Sequence, residues 1–350
     1  MTKKVKIAID AMGGDHGVDA TIPGAAKALD KDGDLHFLFY GDEAKIRPVL
    51  SKYPKLKASS ETIHTDHAVR GDEKPAAALR TGRQSSMRLA INSVSNNEAD
   101  CIVSSGNTGA LMAMAKMVLK TLPNIRRPAI ASVLPSKTGR TVMLDLGANL
   151  SCDSEVLIQF ALMGAVYARI SENKKNPSVG LLNVGSEDMK GHEELRAAHG
   201  VLSRVQFPGS FKGFVEGNDI PMGTVDVVVT DGFTGNIALK TAEGVGKLTE
   251  FYLKETFKSS LLATLGGVLA MPALKKMKQK VDPRFYNGGM FLGLDGVCLK
   301  SHGSSDDVGF CSAIIVAANL IRNDFNSRIS EEIDKLMNQE SFFTHELVQE

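Results

Sequence analysis

Short apolar runs rich in β-branched residues alternate along this chain with longer stretches whose apolar positions recur at helical spacing. The runs at Lys6–Asp10, Leu35–Tyr40, Cys101–Ser104, Ala129–Leu134, Thr141–Asp145, Ser178–Asn183 and Val225–Thr230 read as strands. Helical spacing runs through Ala25–Leu29, from Asp72 to about Val94 with Pro75 near its start, over Thr108–Leu119, Ser154–Ile170 and His192–Leu202, and onward from Ile237. Asp306–Leu336 reads as one long helix. Thr108–Leu119 is apolar around most of its surface and should be well buried. Residues 59–71 read as polar and irregular, and Pro208–Gly223 and Asn287–Gly296 as Gly-rich connections. The alternation predicts an α/β fold with a mostly parallel sheet, and no linker divides it, so one domain over residues 1–350 is expected.

One strand-to-helix junction organises the rest. Val225–Thr230 feeds a helix through Asp231-Gly232-Phe233-Thr234-Gly235-Asn236. Such a turn aims backbone N–H groups and the positive end of the helix dipole at one point, which suits a phosphate or a developing oxyanion. It is also what an ordinary strand–helix connection looks like. The same device occurs 126 positions earlier, where Asp100, Gly106, Thr108 and Gly109 align with Asp226, Gly232, Thr234 and Gly235. Five strands end in Gly, Asp or Asn turns, at Asp10, Ser104, Asp145, Asn183 and Thr230. Ligands of open α/β sheets bind outside the carboxyl ends of strands, so these ends are expected to converge on one crevice.

Composition narrows the chemistry. With 350 residues, 23% charged side chains and a net charge of +1, nothing global points to nucleic acid. Cys101, Cys152, Cys298 and Cys311 lack CxxC spacing and fit a reducing cytosol. The first residues lack the apolar stretch of a signal peptide, and Val156–Ala168 and Ser259–Leu274 are too short to span a membrane. Dinucleotide, Walker A, HExxH and GxSxG patterns are absent, and His64 and His67 sit in a polar loop without a third nearby ligand, so no metal is expected. The segment 247–284 carries eight basic residues, among them Lys275, Lys276, Lys278, Lys280 and Arg284, against three acidic ones, a local +5, with Leu253, Phe257, Leu261 and Leu265 between them. A basic amphipathic helix pair of this kind docks an acidic protein, lies on an anionic membrane, or forms a hairpin at a dimer interface.

These residues carry a resemblance. Asp10-Ala11-Met12-Gly13-Gly14-Asp15, Ser105 through Met112, Asp145-Leu146-Gly147-Ala148-Asn149, Asn183 through Glu187 with Lys190-Gly191, Asp231 through Asn236, and His302-Gly303-Ser304-Ser305 occur in one order over nearly the whole chain. In this the chain resembles the bacterial phosphate acyltransferases of phospholipid synthesis, the PlsX type. The resemblance implies transfer of a long fatty acyl group from acyl carrier protein to inorganic phosphate, with no required cofactor. The acyl phosphate would feed glycerol-3-phosphate acyltransferase. It also implies a homodimer and a three-layer α/β/α sandwich like that of phosphotransacetylases and isocitrate-type dehydrogenases, with the basic segment as a helical extension. The expected setting is the cytoplasm, peripheral to the inner face of the cell membrane. Met290-Phe291 and Ser105 depart from the usual pattern, and the first bears on acyl contacts.

Roles follow for named residues. Lys190 would neutralise charge on phosphate or on the tetrahedral intermediate, and Asn236 would donate a side-chain hydrogen bond; the plainer readings are a surface lysine and a helix N-cap. Gly106, Asn107, Thr108 and Gly109, with Gly232, Thr234 and Gly235, would cradle the anion or simply shape turns. Asp10, Asp145 and Asp231 would orient donors, with Asn149, Asn183, Asp15 and Arg127 as further candidates. His302 could protonate the leaving thiolate or be a satisfied structural histidine. Cys152 is weighed as an acyl-carrying nucleophile and set behind direct attack by phosphate. Two alternatives stay open: acyl transfer from a short acyl-coenzyme A, and a non-catalytic membrane-surface scaffold.

Overall fold

The computed structural model describes residues 4–281 and 289–338. Asp282, Arg284, Asn287 and Gly288 of the segments above lie outside them, as do the side chains of Lys278 and Lys280 and the two ends of the 1–350 span. The strands are β1 (Val5–Asp10), β2 (Leu35–Gly41), β3 (Ser60–His64), β4 (Cys101–Ser104), β5 (Ala129–Ser136), β6 (Gly139–Leu144), β7 (Ser178–Leu182), β8 (Ser210–Val215), β9 (Val227–Val229), β10 (Gly289–Leu292) and β11 (Val297–Lys300), and the central ones are buried apolar runs. The helices are α1 (Val18–Lys31), α2 (Glu43–Leu50), α3 (Pro54–Ala58), α4 (Pro75–Thr81), α5 (Ser86–Ser95), α6 (Thr108–Leu119), α7 (Ser154–Ser171), α8 (Glu193–Leu202), α9 (Asp219–Met222), α10 (Gly232–Lys258), α11 (Leu261–Val281), α12 (Asp307–Arg322) and α13 (Phe325–Met337).

The described strands make one sheet in the order β3-β2-β1-β4-β11-β10-β5-β6-β9-β7-β8. Most neighbours are parallel, as the alternation predicts. The exceptions decide the geometry of the site. β10 is antiparallel to both β11 and β5, and β5 is antiparallel to β6. The sheet therefore holds two parallel blocks of opposite sense, β3-β2-β1-β4-β11 and β6-β9-β7-β8.

Alternation within each strand sends side chains to two helical layers. Ile7, Ile9, Val227 and Val229 face one core with α1, α7, α12 and α13. Ala8 and Ile102 face a second core with α5 and α6, and Val228 faces a third with Ala238 and Leu239 of α10. Ile130 packs against both of the latter, between α6 and the start of α10. This is a mixed α/β fold with helices on both faces of a central sheet. No single described helix is long and apolar enough to cross a membrane.

Several expectations need correction. Residues 59–71 include edge strand β3, and Pro208–Gly223 includes the opposite edge strand β8 and α9. The helix expected over residues 72–94 breaks at a short 3-10 turn, Gly82–Gln84, because the Ser85 hydroxyl caps a new helix by accepting the Arg88 N–H. The C-terminal helix breaks at Asn323–Asp324, where Asp324 takes φ 48°. α6 is buried on one face only; Met117 stays 59% exposed. Met290 and Phe291 are fully buried in β10. Helix α10 starts at Gly232, five positions before Ile237.

Candidate active site

The five strand ends do not form one row. Asp10 and Ser104 end β1 and β4; Asp145, Thr230 and Asn183 follow β6, β9 and β7; β11, β10 and β5 stand between. β4 and β9 are five strand spacings apart, about 24 Å. The predicted residues therefore fall into two groups.

The first group surrounds buried Asp10. Its carboxylate accepts the Ser86 hydroxyl at 2.6 Å and the Ser104 hydroxyl at 2.7 Å. Burial raises its pKa, and those two hydrogen bonds oppose the shift. The Gly106 N–H is taken by the Ser104 hydroxyl at 3.0 Å, and a Cβ at Gly13 would lie 2.6 Å from the Gly106 nitrogen. Asn107 caps α6 by accepting the Ala110 N–H at 2.9 Å, while its amide donates to the Gly71 and Glu73 carbonyls. Thr108 and Gly109 sit in the exposed first turn of α6. The Asp15 N–H donates to the Gly303 carbonyl at 2.8 Å, tying this turn to His302.

Lys300, at the end of β11, was not singled out from sequence. Its ammonium donates to the Ser105 carbonyl at 3.2 Å and also to the Ser301 carbonyl. Burial pulls its pKa down to about 8, against the attraction of Asp10 and Asp15. The signal was available: a lysine closing the apolar run Val297-Cys298-Leu299 just before Ser301-His302. His302 Nδ1 lies 2.9 Å from the Ser304 hydroxyl and 3.3 Å from the Ser304 N–H. Burial and Lys300 lower its pKa, and Lys240 and Glu243 of α10 act on it electrostatically.

The second group is built on Asp145. One carboxylate oxygen accepts N–H groups from Ile130, Gly147 and Ala148 at 2.9, 3.2 and 3.0 Å; the other accepts the Asn149 N–H and side-chain amide at 2.7 and 2.9 Å. Burial raises the Asp145 pKa, and these donors oppose it. Asp145 thus shapes its own turn, and Asn149 anchors that turn to the Pro128 carbonyl at 2.8 Å. Asp231 caps α10, accepting both the N–H and the hydroxyl of Thr234 at 2.8 Å. Gly232 N–H donates to the Asn149 carbonyl at 2.7 Å and Gly235 N–H to the Asp231 carbonyl at 2.9 Å. The amides of Gly232, Thr234 and Gly235 are therefore occupied, and the expected anion cradle at this turn reduces to capping and close packing. Asn236 lies in the exposed start of α10, not at its N-cap, and rests against Gly147.

Lys190 belongs to the loop that follows β7, the neighbour of β9. Asn183 holds this loop: its amide donates to the Lys190 carbonyl at 3.1 Å, and a Cβ at Gly191 would collide with its side-chain oxygen. The Lys190 stem packs over Gly185, whose added Cβ would stand 3.2 Å from Lys190 Cγ, and the side chain reaches solvent. Lys190 and Asn236 thus sit on the connections after neighbouring strands β7 and β9, Asn236 beside Gly147 of the turn ordered by Asp145. Asn236 and Glu243 are separated by about 10 Å of helix rise, so α10 is the element that links the second group to His302 in the first.

Arg127 donates to the Ser151 carbonyl at 3.2 Å, beside Cys152. The Cys152 thiol is buried, and burial first, then Asp145 and Asp231, pushes its pKa up to about 12. A thiol held protonated is a poor nucleophile. Cys152→Ser should therefore keep acyl-transfer activity within about threefold, read as initial-rate kinetics; a near-total loss in a folded variant would restore the covalent route.

Comparisons with known proteins place the chain in a family and support its fold. A family model described as "Fatty acid synthesis protein" matches residues 5–328. A phosphate acyltransferase of Rhodospirillum centenum is 58% identical over 96% of this chain and 95% of its own. One from Paramagnetospirillum magneticum is 52% identical over 96% of each. A phosphotransacetylase from Staphylococcus aureus, 15% identical, superposes with a TM-score of 0.60 over 91% of this chain and 94% of its own, a likeness of fold.

Proposed function

Because the chain belongs to the family of fatty acid synthesis proteins and is an acyltransferase, we propose that it transfers a long-chain fatty acyl group from acyl carrier protein to inorganic phosphate, yielding an acyl phosphate for phospholipid synthesis. The observation that supports this reading is that Lys190 and Asn236 follow neighbouring parallel strands, β7 and β9, with Asn236 beside Gly147 of the Asp145 turn. A phosphate oxygen attacks the thioester carbonyl carbon, the C–S bond breaks, and the proton of hydrogen phosphate ends on the departing thiol. Lys190 offsets the charge of phosphate and of the intermediate, and the Asn236 amide donates to the oxyanion.

Phosphate-dependent thiol release from palmitoyl carrier protein, palmitoyl-coenzyme A and acetyl-coenzyme A tests the reading. Turnover should be fastest with the first. Preference for acetyl-coenzyme A would make the chain a short-chain phosphotransacylase, and no turnover with any donor would leave a scaffold.

We assign partner contact to the α10–α11 hairpin. Beyond Leu239 nearly every described side chain of α10 is exposed, and Leu248, Phe251 and Tyr252 join Leu261, Leu262, Val268 and Leu269 of α11 on an apolar surface edged with Lys275 and Lys276. Such a surface suits an acidic carrier protein, an anionic membrane at the inner face of the cell, or a second copy of the chain. Lys275→Glu with Lys276→Glu should raise KM for acyl carrier protein about tenfold or release the protein from anionic vesicles. If neither changes, the hairpin joins copies of the chain only.

A further inference from the structure

The connections after β6, β9 and β7 are consecutive in the sheet, and each exposes large apolar side chains. Leu150 is 77% exposed, Phe233 59%, Ile237 51%, Val184 81% and Met189 85%. None packs into the hydrophobic cores, so the fold does not account for them. Each lies beside a polar residue of the site. Leu150 follows Asn149, Met189 precedes Lys190, and Phe233 and Ile237 are one helical turn apart around Asn236. The Gly232-to-Asn149 hydrogen bond at 2.7 Å brings the Leu150 and Phe233 backbones together. Clustered exposed apolar surface of this kind marks a binding site.

We infer that these five side chains form the surface along which the fatty acyl chain lies while its thioester carbonyl sits between Lys190 and Asn236, and that they set the preference for long chains. The inference rests on the acyl-transfer reading and specifies where its substrate is held. The carbonyl carbon is bonded to the chain, so the first methylenes must cross the protein within a few ångströms of Lys190 and Asn236. Elsewhere the Lys190 loop presents Ser186, Glu187 and Asp188, which offer methylenes no shelter from water. The apolar side chains do, and each methylene sheltered contributes roughly fourfold in affinity.

The test is the full chain carrying Leu150→Gln, Met189→Gln and Phe233→Gln together, and Met189→Gln alone as the milder variant. Phosphate-dependent thiol release is measured with palmitoyl and butyryl groups on the same carrier, alongside solution mass. The palmitoyl-to-butyryl ratio of kcat/KM should fall at least about tenfold in the triple variant at unchanged mass. An unchanged ratio overturns the inference. So does a fall in mass with equal loss on both donors, which makes the patch an interface between copies of the chain. Failure of the unmutated protein to release thiol from either donor is a separate result and removes the acyl-transfer reading itself.

Discussion

Asn236→Ala should lower kcat for acyl transfer by about 10²–10³-fold, the usual loss on removing one oxyanion donor, with little change in KM. The side chain is exposed and makes no structural hydrogen bond among the described residues, so the folded state should survive. Lys190→Ala should cost a similar factor, and more of its effect should appear as a raised KM for phosphate, since Lys190 meets that charge before the reaction begins. Because both act on one intermediate, the double variant should lose less than the product of the single losses. Steady-state kinetics with phosphate varied separates the two roles. Retention of more than a tenth of the activity in either single variant, with the fold confirmed by circular dichroism, would move the chemistry elsewhere, and the group of buried Lys300 and exposed His302 would be the next place to look.

The same two residues mark how far the sequence could be read. The strand–helix alternation and the mostly parallel sheet were legible because buried strands are nearly continuous apolar runs. Edge strands β3 and β8 were not, since one side of each faces solvent: His64 and Lys212 are exposed. β10 was hidden because Gly289 reads as a turn residue and the strand is only four residues long. The near-repeat of Gly106–Gly109 at Gly232–Gly235 was read correctly as a pair of helix starts, and the two copies sit in separate blocks of the sheet. Their caps differ as well. In the earlier copy Asn107 caps a helix starting at Thr108; in the later one Asp231 caps a helix starting at Gly232. Aligned residues thus sit two positions apart in their helices. The antiparallel β10 and β5 then separate the two copies, and no local pattern at either turn encodes that crossover. Lys300 illustrates the remaining limit, because its meaning comes from Ser105, 195 positions away.

Gly235→Ala should be among the most damaging single-methyl additions in the described chain. A Cβ at this position would collide with the Asp145 carbonyl oxygen and lie 2.9 Å from Thr230 Cγ2. The first contact is backbone and cannot rotate away. Either α10 slides off the Asp145 turn or the turn itself moves. Overpacking of this kind costs about 1–3 kcal/mol, and more where backbone must shift. The functional loss should exceed what the stability loss accounts for, because Asn236 is the next residue and rests against Gly147 of that turn. A displacement near 1 Å at a positioning contact costs on the order of 10²-fold in rate. Gly244→Ala supplies the contrast. It lies in the same helix with nothing within 4 Å of its added Cβ, so alanine should stabilise the chain by about 0.5–1 kcal/mol and leave turnover intact. Thermal unfolding and kcat measured on both variants separate helix propensity from placement. If Gly235→Ala keeps full activity, the close seating of α10 on the Asp145 turn is not what positions Asn236, and the geometric basis for pairing it with Lys190 falls.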